Sequence, residues 1–494
     1  MMVWRFKGHL IAIALVLSGF LVPIACGAPS NGDVPPNILI AVADDWGFPH
    51  AGAYGDEVVK TPTFDWLAKE GVLFQHAYAS SPSCTPSRSA ILSGQWHWRL
   101  GPAANLWSTF PESVETYCDL LGDEGYVTGS SGKAWGPGRT NRYLAGKSYE
   151  SFEEFFSSRT KGKPFCFWLG SSDPHRPYVE GSGKKSGMNL EAINLPACFP
   201  STPAIRGDMA DYYYEVQRFD TLVAKALEVL LRNKQLENTM VVVTSDHGMP
   251  FPRCKSNLYD TGIRVPLVIR YPEQKQPGRI ENSIVSLTDL APTFLDLAGI
   301  EIPESMTGRS LVPLLEESSG VYDPRPYVLF GKERHVPSQE GKDMGGYPSR
   351  GIRTDQYLYI RNYQPNRWPS GTPFFRKAAI PGAWYADCDN GPAKTYMISC
   401  RNRDEQHQLA YRLSFEKRPA EELYDLKQDP GQIENVARRI DYQPVKKQLK
   451  KLMIRALRAS KDPRSFGHGD QFDRFPYLGG APQFPGLSSR SVDK

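Results

Sequence analysis

Cysteine is scarce in this chain: eight in 494 residues, none at the paired spacing of a zinc finger, which argues against a thiolate zinc module. Charge of one sign is not in excess either. Fifty-eight Lys and Arg face 54 Asp and Glu, a net charge of +4, so no polyanion-binding field points to nucleic acid. No internal repeat is visible. The apolar run Leu10 to Ala25 is too short for a membrane span, and behind Arg5 and Lys7 it reads as an export signal. Residues 1–28 are its expected extent, with small residues at Cys26-Gly27-Ala28 for cleavage; lipidation of Cys26 is the alternative. Losing this leader removes two basic residues and no acid, leaving +2, and the expected product is secreted or periplasmic, with no transmembrane span. Six cysteines then remain besides Cys84, an even number that allows disulfides, with Cys388 and Cys400 the expected pair.

What is plentiful is loop and buried strand. Forty-three Gly and 41 Pro announce many connections, and the length exceeds one ordinary core. Continuous apolar runs at residues 37–43, 164–170 and 240–244 read as strands buried on both faces, and Leu267 to Arg270 and Tyr327 to Phe330 as further strands of the same sheet. Helical stretches alternate with them, notably Thr116 to Glu124 and Tyr213 to Asn233. The fold class is therefore α/β, a large, mostly parallel mixed sheet with helices on both faces. Near residue 345 shorter alternating runs begin, such as Gly351 to Ile360, the pattern of an antiparallel sheet. The expected organisation is a catalytic domain over 29–345, a subdomain over 346–460 ending in a basic helix from Pro444 to Ser460, and an irregular tail over 461–494.

The strand-like runs end in reactive residues: Asp44-Asp45 after the first, Asp173-Pro174-His175 after another, Asp246-His247-Gly248 after a third. Strand ends of open α/β sheets are where ligands bind, and carboxylates crowded there need a cation between them. Oxygen donors favour Ca²⁺ or Mg²⁺ over zinc. Between the strands lies Ser83-Cys84-Thr85-Pro86-Ser87-Arg88-Ser89-Ala90-Ile91-Leu92-Ser93-Gly94. Pro86 suits a first helical turn and Ser83 or Thr85 an N-cap, which puts Cys84 at the positive end of a helix with Arg88 one turn on. Spacing alone leaves Cys84 open to a structural thiol or a disulfide half. A phosphatase loop needs Cys-x5-Arg, whereas this segment has Cys-x3-Arg.

Cys-Thr-Pro-Ser-Arg followed by Ser-Ala-Ile-Leu-Ser-Gly resembles the signature of the formylglycine-dependent sulfatases of the alkaline phosphatase superfamily. The resemblance extends to Asp44-Asp45, to Thr128-Gly129-Ser130-Ser131-Gly132-Lys133, to Asp173-Pro174-His175-Arg176-Pro177, to Asp246-His247-Gly248, and to Lys255 before Gly262-Ile263-Arg264-Val265-Pro266. Glu422 to Leu426 with Asp429-Pro430 and Asn435 is similar to the family's closing motif. It implies one Ca²⁺ held by Asp44, Asp45, Asp246, His247 and residue 84, and a Cys84 oxidised to formylglycine by a generating or maturase enzyme. It further implies that Lys133, His175 and Lys255 contact the sulfate, and Arg88 is a further expected catalytic residue. One departure stands out, because the family places a His two or three residues after this Lys and here Trp135-Gly136 occupies the place.

The expected activity is hydrolysis of sulfate esters or N-sulfate of an acidic polysaccharide or its oligosaccharides. Asp-Pro-His-Arg and Pro250-Phe251-Pro252 resemble heparan N-sulfatases, and ulvan-type polysaccharides fit equally. Lys332, Arg334, His335, Lys342, Arg350, Arg353, Arg361, Arg367, Arg376 and Lys377 are expected to hold neighbouring sulfates or uronates, with Trp368 and Trp384 stacking on sugar rings. The competing readings are a phosphodiesterase or phosphonate hydrolase of the same superfamily and an inactive glycan-binding relative.

Overall fold

A computed structural model describes residues 35–272, 276–316 and 322–486. The leader and Cys26 lie outside them. Nine strands form the main sheet: β1 (Asn37–Ala43), β2 (Val72–Tyr78), β3 (Val127–Ser131), β4 (Lys147–Tyr149), β5 (Phe165–Gly170), β6 (Thr239–Ser245), β7 (Arg264–Arg270), β8 (Arg279–Glu281) and β9 (Val285–Ser286). They run in the order β8-β2-β7-β6-β1-β5-β3-β4, with β9 also beside β2. β7 alone is antiparallel to its neighbours, so the sheet is mixed and mostly parallel. In β1, Leu39, Ala41 and Ala43 face one apolar core while Ile38, Ile40 and Val42 face another. That alternation within an unbroken apolar run is what burial on both faces requires.

Register places the site. Ala43 pairs with Ser245 and Val42 with Gly170, so Asp44, Asp246 and the loop after Gly170 emerge side by side at one edge. Backbone bonds from Asp44 N to Asp173 O and from Asp246 N to Ala43 O, at 3.1 and 3.2 Å, continue the ladder into the loops. Ser131 pairs with Leu169, bringing Lys133 to the same edge. A Cβ on Gly132, at φ +64°, would meet Gly170 O at 2.2 Å, so only glycine lets these chains approach so closely.

Two helices frame the edge. Helix α1 (Cys84–Ser93) is buried throughout, and α2 (Pro203–Arg232), capped by Thr202, extends the expected helix by ten residues at its start. A second, antiparallel sheet contains β10 (Val328–Lys332), β11 (Ser349–Arg353), β12 (Tyr357–Asn362) and β13 (Glu421–Asp425), flanked by the basic helix α3 (Gln443–Ala459). Two expectations are corrected. Tyr327 to Phe330 does not join the large sheet: Val328 pairs with Arg353 and Phe330 with Gly351, because antiparallel partners follow directly in sequence. Cys388 and Cys400 are free thiols. The helix Pro392–Ser399 lies between them in sequence. Among the described residues no helix is long and apolar enough to cross a membrane.

Candidate active site

Helix α1 carries Cys84 as its first residue. Ser83 stands at the N-cap position in extended conformation, but its hydroxyl makes no capping bond and meets His335 Nδ1 at 2.8 Å instead. Cys84 Sγ lies 3.3 Å from His247 Nε2 and 4.0 Å from Asp45 Oδ1. Burial pushes the thiol well above its ordinary pKa, against the pull of Lys133, so as a thiol it is neutral.

Asp44, Asp45 and Asp246 are at most 1 % exposed, with one oxygen of each within 4.8 Å of the others. Asp45 sits at φ +77°, a left-handed conformation that Asp tolerates better than most residues. Arg88 lies behind this cluster. Its Nε donates to Asp246 at 2.8 Å, Nη2 to Asp44 at 3.3 Å and to Ala43 O, and Nη1 to Lys133 O at 2.6 Å. Burial opposes charge on Asp44, but Lys133 and Arg88 outweigh it and hold the carboxyl well below the usual range.

His247 decides what the cluster can hold. Its Nδ1 is 3.0 Å from Gly248 O, and a carbonyl can only accept, so Nδ1 carries the proton. The remaining Nε2 points at Asp45 Oδ1, 3.2 Å away, with Asp246 Oδ1 at 3.8 Å. An imidazole fixed through a backbone carbonyl, with its other nitrogen turned to carboxylates, is the arrangement of a metal ligand. The donor set, three carboxylates and one imidazole, fits a hard divalent ion.

The cleft in front has a volume of about 640 Å³ and is lined by Asp44, Cys84, Lys133, His175, Lys255 and by residues from distant segments. Lys133 Nζ donates to both Asp44 oxygens at 2.8 and 2.6 Å, and Lys255 Nζ bridges Asp45 at 2.8 Å and Asp389 at 3.0 Å. Burial would discharge Lys255, but Asp389 and then Asp45 hold its pKa well above the ordinary value; Lys133 is raised likewise, mainly by Asp44 against burial. His175 Nδ1 lies 2.6 Å from Arg176 O, so it too donates there, leaving Nε2 facing the cleft, 3.9 Å from Asp45.

Among the lining residues, Asp389, Tyr477 and Pro482 escaped the sequence reading, whereas His335 was expected as a glycan contact. Asp389 and His335 come from segments far along the chain, and Tyr477 and Pro482 from the tail expected to be irregular. The one signal for Asp389 was its position close to Trp384. His335 stays neutral, because burial and then Lys255 drive its pKa well below the ordinary value. Trp135, in place of the expected His, lines the cleft and donates its indole N–H to Ser89 on α1 at 2.7 Å.

Many of the basic residues expected to grip a glycan over 331–377 are tied to acids or carbonyls of the protein instead. Lys332 is buried against Asp387 at 2.6 Å, Arg350 against Glu333 and Asp462 at 2.6 and 2.9 Å, and Arg353 meets Asp260 at 3.3 Å. Arg367 binds Asp343 and Asp473, and Arg334 donates to backbone carbonyls. Trp384 is buried, and Trp368 donates to Glu340. Of the basic residues in that segment, only His335 lines the cleft.

Carboxylates gathered at parallel strand ends, facing a residue at a helix start, fit a hydrolase site of the alkaline phosphatase type. The chain belongs to the sulfatase family: the family model "Sulfatase" matches residues 36–143 and 135–300, and the model "N-sulphoglucosamine sulphohydrolase, C-terminal" matches 251–369. The chain is 28 % identical to an ulvan-active sulfatase of Formosa agariphila over 443 residues, 86 % of this chain and 81 % of that one. It is also 28 % identical to human N-sulphoglucosamine sulphohydrolase over 457 residues, covering 82 % and 86 % of the two chains. In fold it is similar to a solved enzyme in complex with its substrate D-glucosamine-2-N,6-O-disulfate, at TM-score 0.61 and 20 % identity, over 87 % of this chain and 98 % of that one. It is likewise similar to a phosphonate monoester hydrolase from Silicibacter pomeroyi, at TM-score 0.63 and 18 % identity, over 86 % and 96 %.

Proposed function

We propose that the protein is an exported sulfatase that removes sulfate from a sulfated glycan or its oligosaccharides, as an O- or N-sulfate, with Cys84 converted to formylglycine and one Ca²⁺ bound. The observation that carries this reading is the convergence of Cys84, His247 Nε2 and three buried carboxylates beneath a cleft ringed by Lys133, Lys255 and His175. When bound, the divalent ion supplies positive charge that offsets the sulfate oxygens and activates a nucleophile. The hydrated aldehyde made from Cys84 would supply that nucleophile and a second hydroxyl, whose loss of a proton would expel sulfate from the first and restore the aldehyde.

The chain's own residues do the rest. Asp44, Asp45, Asp246 and His247 would hold the ion, and Arg88 keeps Asp44 and Asp246 oriented. Lys133 and Lys255, both held in the ammonium form, take the non-bridging sulfate oxygens and lower the repulsion that makes sulfate esters inert. His175, its Nδ1 anchored on Arg176 O, holds a proton on Nε2 for the leaving oxygen or nitrogen, with Lys255 the second candidate donor. In sum, water is consumed, the bond from sulfur to the leaving atom breaks, and that atom takes a proton.

The relatives named above act on ulvan and on N-sulfoglucosamine, which supports a glycan substrate. The test is release of sulfate from para-nitrophenyl sulfate, set beside an aryl phosphonate, by protein matured with a formylglycine-generating enzyme. Faster turnover of the phosphonate would favour the phosphonate hydrolase reading, and no turnover of either an inactive glycan binder.

A further inference from the structure

The charges in the cleft divide into two zones. Lys133 and Lys255 face the carboxylates under Cys84 and form the sulfate cradle. On the leaving-group side, around His175, the lining is acidic. Asp389 places a carboxylate oxygen within 4.8 Å of a His175 ring nitrogen and of Asp45. Lys255 Nζ is 3.0 Å from Asp389 Oδ2, yet that oxygen accepts no hydrogen bond of good geometry, so the carboxylate is paired by charge rather than by a directed donor. Its side chain is 19 % exposed to the cleft it lines, although Oδ2 itself is buried.

Asp173 lines the same wall, and its counter-ion is shared: Arg218 faces Asp173 at 3.3 Å and Glu215 at 3.1 Å, one guanidinium for two carboxylates. Burial, and next to it Asp173, pushes Glu215 up to about 7, the mark of acids crowded together. The cation on this wall, Arg176, is already matched by Asp208 at 2.7 Å on both terminal nitrogens. His335 is neutral, and none of the other basic residues expected at 331–377 lines the cleft to receive a further anion.

We infer that the substrate sugar presents a hydrogen-bond donor, a free hydroxyl or an ammonium, to Asp389 and carries no second anionic group on the carbons flanking the sulfated one. Asp389 is thus a specificity-determining residue, accepting from the group beside the leaving atom and repelling a neighbouring sulfate or carboxylate. Trp107, Trp135 and Tyr477 give the same cleft the aromatic walls on which an uncharged ring face packs. This rests on the sulfatase reading above and narrows its substrate from a densely charged glycan to a sparsely sulfated or amino sugar.

The experiment compares matched sugars: a monosulfated monosaccharide with free hydroxyls on both flanking carbons, and the same sugar with a second sulfate on one of them. The positional isomer turned over best is used. In the wild type, the second sulfate is expected to lower kcat/KM at least about tenfold. Asp389→Asn is expected to bring the ratio close to one, and Asp389→Glu to keep it; a ratio is insensitive to a uniform loss of folded enzyme. Equal or faster cleavage of the disulfated sugar by the wild type, or an unchanged ratio in Asp389→Asn, overturns the inference. If para-nitrophenyl sulfate is still hydrolysed in that case, the sulfatase reading survives; failure on every sulfate ester removes both.

Discussion

Two charged regions of this molecule look alike in sequence and behave oppositely in space. The strand-end acids Asp44, Asp45 and Asp246 and the basic segment at 331–377 are both dense in one sign of charge. In the basic segment the buried cations have their own partners, as in Arg350 between Glu333 and Asp462, so their charge is neutralised where it sits and serves the packing. At the sheet edge three carboxylates converge, with Nε2 of His247 turned to Asp45, and Arg88, Lys133 and Lys255 only flank them. A buried ion pair fixes structure, whereas like charges converging on a shared centre leave an interaction to be completed from outside.

The difference can be broken at either end. The largest effect is expected from Cys84→Ala, which should abolish sulfate release while circular dichroism and the melting temperature stay near wild type; turnover retained within about tenfold would contradict the site. Dialysis against a chelator should remove activity, and Ca²⁺ should restore it, whereas full turnover in chelator would show that the carboxylates need no ion. In the basic region, Arg350→Met leaves Glu333 and Asp462 without their shared partner and should destabilise the protein by about 3–5 kcal/mol in denaturant titrations. Its kcat per folded molecule should be unchanged.

The smallest effect concerns pH. Burial, opposed by Asp56, lowers the pKa of His50 from 6.5 to about 4. Between those values the unfolded chain binds a proton that the folded chain does not, so stability rises with pH across the window and is lost as pH falls towards 4. His50→Gln should flatten that part of the stability profile, and an unchanged slope would place the titration elsewhere.

Much of this site was legible because the residues that build it are local to strong patterns. Asp44 and Asp246 follow apolar runs whose strand character is unmistakable, and parallel register then brings them together without further information. The helix from Cys84 was readable from Pro86 and the small residues after it. The pairing of cations was not. Nothing near Arg350 reveals that Asp462, more than a hundred residues on, will meet it, nor anything near Lys332 that Asp387, 55 residues on, will do the same. For the same reason Asp389 and Tyr477 were missed: long-range packing delivers them to the cleft, and no periodicity marks them. Tyr327 to Phe330 misled because a short apolar run reads the same in either sheet.

The central claim is that residue 84, at the head of α1 beside His247 and Asp45, is the reacting group. Peptide mass analysis of protein proven to release sulfate tests it most directly. The account predicts the aldehyde at that position in the active fraction; turnover by material whose Cys84 is wholly an unmodified thiol would contradict it.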